Sequence, residues 1–135
     1  MMDKYSDQIA RISGMNYKEI IDLHFALQEE IKRQYKLRKN KENFNNVIKL
    51  CEKSIAISSL AIEAMKKKHK AECNEYARFT GRISPLKFVY PNHYAAGRLS
   101  GLLRKQGDLD QVAYIENKMA REGWGSQRQV DLLDL

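Results

Sequence analysis

Apolar side chains return every three or four residues along most of this chain, and very little interrupts them. Ile20, Ile21, His24, Leu27, Ile31 and Tyr35 follow one another at that spacing, which lines up one face of an α-helix. Phe44, Val47, Ile48, Cys51 and Ile55 do the same, and so do Leu109, Val112, Ile115 and Met119. The 135 residues contain only 2 prolines and 7 glycines. A sandwich or barrel needs a turn signal roughly every 8–12 residues, so this scarcity excludes one. The expected fold class is all-α, built of antiparallel helical hairpins.

Five helices are expected. The first covers Asn16–Lys39, with Ser13-Gly14 as the break before it and Asn16 as its N-cap. The second covers Glu42–Ile57. Ser58-Ser59 marks a possible break, and Leu60–Arg78 is either a third helix or a continuation of the second. Its apolar stripe fades beyond Met65. Thr80–Pro91, with Gly81, Pro85 and Pro91, reads as a loop, and Asn92 as the next N-cap. His93–Gln106 should bury Ala95, Leu99, Leu102 and Leu103. Gly107-Asp108 turns the chain into Leu109–Glu122, and Gly123 is placed to cap that helix in the left-handed conformation. A two-residue connection forces the last two helices into an αα-hairpin. Small residues Ala96, Gly97, Ser100 and Gly101 suggest that a neighbouring backbone approaches there. Residues 1–135 fit a single domain, with 1–15 an N-terminal segment and 126–135 a tail.

Charge is unevenly spread. Residues 32–53 carry 8 basic and 2 acidic side chains, and residues 66–87 carry 7 and 2. Residues 1–31 and 108–135 each carry 3 basic and 6 acidic. A basic middle between acidic ends suits nucleic acid or an acidic protein as partner, although lysine-rich helix faces commonly serve only solubility. Uncharged stretches such as Ser54–Ile62 fall far short of the roughly 20 apolar residues of a membrane span. The first residues lack the basic-then-apolar pattern of a signal peptide. A cytoplasmic location with no membrane partner is expected, with Cys51 and Cys73 as thiols.

The stretch Ala96–Val112 resembles the helical hairpin of the tetratricopeptide repeat family, a unit of about 34 residues. Leu99 falls at that family's Leu position, Ser100 at its small position and Leu103 at its large Tyr position. Gly107-Asp108-Leu109 is similar to its turn, and Val112 takes the Ala of the second helix. Glu116 and Trp124 depart from the pattern. A fainter likeness covers Phe44–Ile55, with Phe44, Val47, Cys51 and Ser54 at the matching positions. Together these cover about half the chain. The resemblance implies a right-handed helical-repeat array and a role in binding a protein or peptide, and names no partner.

Catalytic constellations are absent from the pattern. The three histidines lie on different helices, and no phosphate loop or dinucleotide fingerprint occurs. His69 and Cys73 are spaced i, i+4 on one helix, two ligands where a structural zinc site needs four. No enzyme activity, cofactor or metal is therefore expected. The expected site is a peptide groove on the His93–Gln106 helix, with Tyr90, Tyr94, Arg98, Arg104 and Lys105 as binding residues. No acidic residue lies between Phe88 and Gly107, so these cations read as uncompensated and suited to an acidic or C-terminal segment. The chain's own Val130–Leu135 is one such segment, which makes a self-associating structural subunit one alternative. Nucleic-acid binding through residues 32–53 and 66–87 is the other.

Overall fold

The computed structural model describes residues 4–131 and Leu135. Among them the fold is all-α, with six helices: α1 (Lys4–Ala10), α2 (Tyr17–Lys36), α3 (Lys41–Ala56), α4 (Ser58–Thr80), α5 (Tyr94–Lys105) and α6 (Leu109–Glu122). A 3-10 turn at Ile12–Gly14 separates α1 from α2. Two short strands, β1 (Phe88–Val89) and β2 (Gln129–Val130), pair antiparallel, Phe88 opposite Val130. The helix beyond the expected five is α1, which fully buries no residue and packs only the half-buried Tyr5 and Ile9 against the core, a stripe too short to mark a helix in the sequence.

Local chemistry explains most boundaries. The Asn16 side chain accepts a hydrogen bond from the Glu19 backbone N–H at 2.9 Å, and the Glu19 carboxylate accepts one from the Asn16 N–H at 3.1 Å. This reciprocal box satisfies two of the donors a helix start leaves open. We expect Asn16→Ala to lower stability by about 1 kcal/mol, read as a shift of the denaturation midpoint at constant slope. A shift of less than about 0.2 kcal/mol would show that the box is open in solution. Asn40, the residue after the expected helix end at Lys39, caps the next helix by accepting from the Glu42 N–H at 2.9 Å. The α3–α4 junction falls at Ile57, so Ser58 and Ser59 begin a helix rather than break one.

α2 packs on both α3 and α4, α3 on α5, and α5 on α6. Leu27, Ile31, Val47, Cys51 and Ala61 have no exposed surface, and the same buried cluster reaches Leu99, Ile115 and Trp124. In the α5–α6 hairpin, Leu99, Val112 and Ile115 are buried as the spacing requires, while Leu102 and Leu103 are half-buried. Leu109 departs from its stripe: the first residue of α6, it projects into solvent with 62% of its surface exposed.

The glycines correct another expectation. A Cβ placed on Gly97 or Gly101 would meet nothing within 4 Å, so no backbone approaches them. The close approach is at Gly123, whose φ is +91° and whose added Cβ would stand 2.6 Å from the Tyr90 ring. Gly123 ends α6 as expected: its N–H donates to the Ala120 carbonyl and the Trp124 N–H to the Met119 carbonyl, the paired bonds of a Schellman cap. The tail then folds back onto its own chain. Val130 is buried opposite Phe88, Lys87 and Asp131 lie 3.5 Å apart, and Leu135 packs against the core. Of the tail segment expected to reach Arg104 and Lys105 of another copy, Val130 pairs with Phe88 of its own chain, and residues 132–134 lie outside the described residues.

Candidate functional site

Tyr94 opens α5 and Arg98 follows one turn later, so both project from one face of the helix. The helix starts there because His93 caps it, its Nδ1 accepting from the Ala96 N–H at 3.0 Å. Asn92, expected in that role, has its side-chain oxygen against Gly125 instead.

Tyr94 and Arg98 meet the last turn of α2. The Arg98 guanidinium carbon lies 3.8 Å from the centre of the Tyr35 ring and 5.5 Å from that of Tyr94. Its Nη2 donates to the Tyr94 hydroxyl at 3.3 Å, and that bond raises the Arg98 pKa. Its Nε is buried without a hydrogen-bond partner. Among the described residues no carboxylate pairs with Arg98. Arg38 approaches the Tyr35 ring to 4.2 Å. A groove of about 750 Å³ runs along this contact between α2 and α5, lined among others by Lys32, Tyr35, Lys36, Tyr94 and Arg98. Lys32 is held by Glu29 at 3.5 Å and lies 5.1 Å above the Tyr94 ring, and Arg33 pairs with Glu30. Lys36 and Arg98 are left as groove cations with no acidic partner among the described residues.

The other expected site residues lie elsewhere. Tyr90 is buried in the core, edge-on to Phe88 at 5.1 Å. Burial raises its phenol pKa, but Lys66 and Arg128 beside it bring it below the ordinary tyrosine value. Arg104 is paired with Glu116 of α6, so its charge is not uncompensated as the sequence order suggested. The hairpin returns an acid to it across the turn. Lys105 is exposed at the end of α5, outside the groove. Tyr35 and Lys36 are the groove residues that the sequence reading missed. Tyr35 closes the apolar stripe of α2, and nothing in that periodicity distinguishes a core tyrosine from one under a guanidinium.

The fold also holds a buried polar centre. His24 of α2, His93 and Trp124 stack together: His24 is 5.4 Å from Trp124 and 5.3 Å from His93, and His93 is edge-on to Trp124 at 4.7 Å. Burial pushes the pKa of His24 down to about 4. Burial, helped by His24, does the same to His93, against weaker opposing pulls from Glu122 and the Ser54 backbone. Next to them Glu122 accepts from the Ser58 hydroxyl at 2.5 Å, from Trp124 Nε1 at 3.0 Å and from Lys118. Burial works against the Glu122 carboxylate, yet the three donors hold its pKa below the ordinary glutamate value.

His69 Nε2 and Cys73 Sγ come within 3.4 Å, as their spacing allows. Among the described residues no third His, Cys, Asp or Glu joins a metal-holding group. Cys51 and Cys73 are buried and free, and burial pushes the Cys51 thiol up to about 12. No helix among the described residues is long and apolar enough to cross a membrane. Compared with known proteins, the chain matches no family model, no curated protein and no solved structure.

Proposed function

We propose that this chain is a non-catalytic peptide-binding module, and that the α2–α5 groove takes an acidic or C-terminal segment. The observation that carries this reading is Arg98. A half-buried guanidinium held flat against Tyr35, tied to Tyr94 and lacking a carboxylate is pre-positioned for a carboxylate from elsewhere. Aromatic walls add contact area at low entropic cost. The neighbour order α2, α3, α5, α6, two hairpins in succession with α4 packed to one side, supports the repeat-like reading. It differs from the sequence expectation in the residues used: Tyr94 and Arg98 remain, joined by Tyr35 and Lys36, while Tyr90, Arg104 and Lys105 drop out.

Nucleic-acid binding by the basic middle has less support. Lys32, Arg33, Lys66 and Arg78 are each within reach of a glutamate three residues away, which dilutes any phosphate track. Screening a library of short acidic peptides with free C-termini, followed by fluorescence polarisation of the hits, tests the groove. Arg98→Gln should weaken the hits by at least about tenfold, and amidating the peptide C-terminus should weaken the subset held through it. An absence of hits, or hits indifferent to Arg98, would remove the peptide-groove reading.

A further inference from the structure

The last turn of α4 and the loop after it are exposed, between Cys73 and Phe88, which are both buried. The three most exposed large apolar side chains among the described residues are all here: Ile83 at 83%, Phe79 at 78% and Leu86 at 70%. Tyr76 and Val89 are exposed beside them. α4 ends at Thr80 with Gly81 in the left-handed conformation, after which the chain runs without regular structure to β1. Residues 76–89 contain Arg78, Arg82 and Lys87 and no acidic residue; Arg78 lies 3.7 Å from Glu75 and Lys87 3.5 Å from Asp131, both exposed pairs, and Arg82 has no acidic partner among the described residues. Further back along the helix Lys67, Lys68 and Lys70 are exposed, with exposed Glu72 and Glu75 between them and Arg78.

Apolar side chains this exposed are uncommon on a soluble surface unless something covers them. They lie at the end of α4 and on the irregular chain after it, and none of them lines the α2–α5 groove. Duplex or single-stranded nucleic acid would use the cations but has no call on Ile83 and Leu86. An anionic lipid surface answers both features: its acyl boundary takes Phe79, Ile83 and Leu86, while its headgroups face Arg78, Arg82 and Lys87. We propose that this tip is a peripheral docking site for an anionic lipid bilayer. The chain lies on the surface by the end of α4 and crosses nothing. The expectation of no membrane partner rested on the absence of a span, and docking of this kind needs none.

Vesicle co-sedimentation of the full chain tests this. Vesicles of phosphatidylcholine alone are compared with the same lipid containing about 30% phosphatidylserine, at low salt and at about 0.5 M salt. The expected result is binding to the anionic vesicles only, weakened by salt. It should fall at least about tenfold in the triple variant Phe79→Ser, Ile83→Ser, Leu86→Ser and again in Arg78→Gln, Arg82→Gln, Lys87→Gln. Leu86→Trp gives a second readout in an otherwise intact chain, since its emission should shift to the blue on anionic vesicles and not on neutral ones. Failure to bind anionic vesicles overturns the proposal. So does binding that ignores the apolar triple, which marks diffuse charge attraction, or a tip that alters sedimentation of the protein alone, which marks contact between copies. None of these outcomes bears on the α2–α5 groove.

Discussion

Between pH 7 and pH 4.5 the protein should lose a large share of its stability, and the loss should begin above the pH range in which its surface carboxylates are protonated. His24 and His93 have folded-state pKa values near 4 against an ordinary 6.5. The unfolded chain therefore takes up protons at pH values where the folded chain does not. Stability from each ring is complete above pH 6.5 and declines as the pH falls toward 4. A displacement of this size is worth about 3 kcal/mol per ring, against a total of about 5–15 kcal/mol for a domain. The charged groups around the pair do not reverse this: Glu122 favours protonation of His93, but Lys118 opposes it and burial dominates. Glu122 adds a loss of its own at lower pH, as its depressed carboxylate is protonated. Urea denaturation at pH 7.5, 6, 5 and 4.5 reads the effect. His24→Phe keeps the stack on Trp124, and His93→Asn keeps an N-cap acceptor for Ala96. Each should flatten the profile, and the double variant should flatten it most. Equal stability at pH 7.5 and 4.5 in the unaltered protein would mean that both rings are hydrated.

Lys118→Met should destabilise the chain by about 3 kcal/mol. The lysine ammonium and Glu122 carboxylate keep only 16% and 13% of their side-chain surface. Lys118 also donates to the Ser58 hydroxyl at 2.9 Å, and that hydroxyl donates onward to Glu122. Removing the cation leaves a carboxylate in a poorly hydrated site with only the Ser58 and Trp124 donors. Taking out both charges, Lys118→Met with Glu122→Met, should cost less than the sum of the two single changes. A double-mutant cycle in urea should then give a coupling of about 1–3 kcal/mol. Additive single changes would show that the two groups are independently solvated.

The helices were legible because their stripes are long and regular, and because Asn16, Gly107 and Gly123 are residues whose chemistry fits only a few positions. α1 was not, since it is seven residues long and only Tyr5 and Ile9 pack against the core, both half-buried. β1 and β2 escaped for a different reason. Each is two residues long, and the pairing of Phe88 with Val130 depends on where α5 and α6 carry the chain. The groove was legible by half. Tyr94 and Arg98 share a helix face that the sequence displays, but Tyr35 and Lys36 join them only through the packing of α2 beside α5. Arg104 shows the converse: counting charges along the chain left it unpaired, and the hairpin supplied Glu116. His93 carries two tasks at once, capping α5 and entering the aromatic stack, and its i+3 acceptor role is hard to foresee because histidine is an uncommon cap.

The β1–β2 pair sets an order of assembly. It joins residues roughly forty positions apart, and the α5–α6 hairpin lies wholly inside the loop so closed. The hairpin needs only a two-residue turn, with little loop entropy to overcome, whereas the strands find each other only after both helices have formed. The last event in folding is then a fastening of already built parts, and the first in unfolding is its release. Such a release exposes Phe88 and Val130, both part of the buried cluster, and loosens with them the segment that leads back to the exposed end of α4.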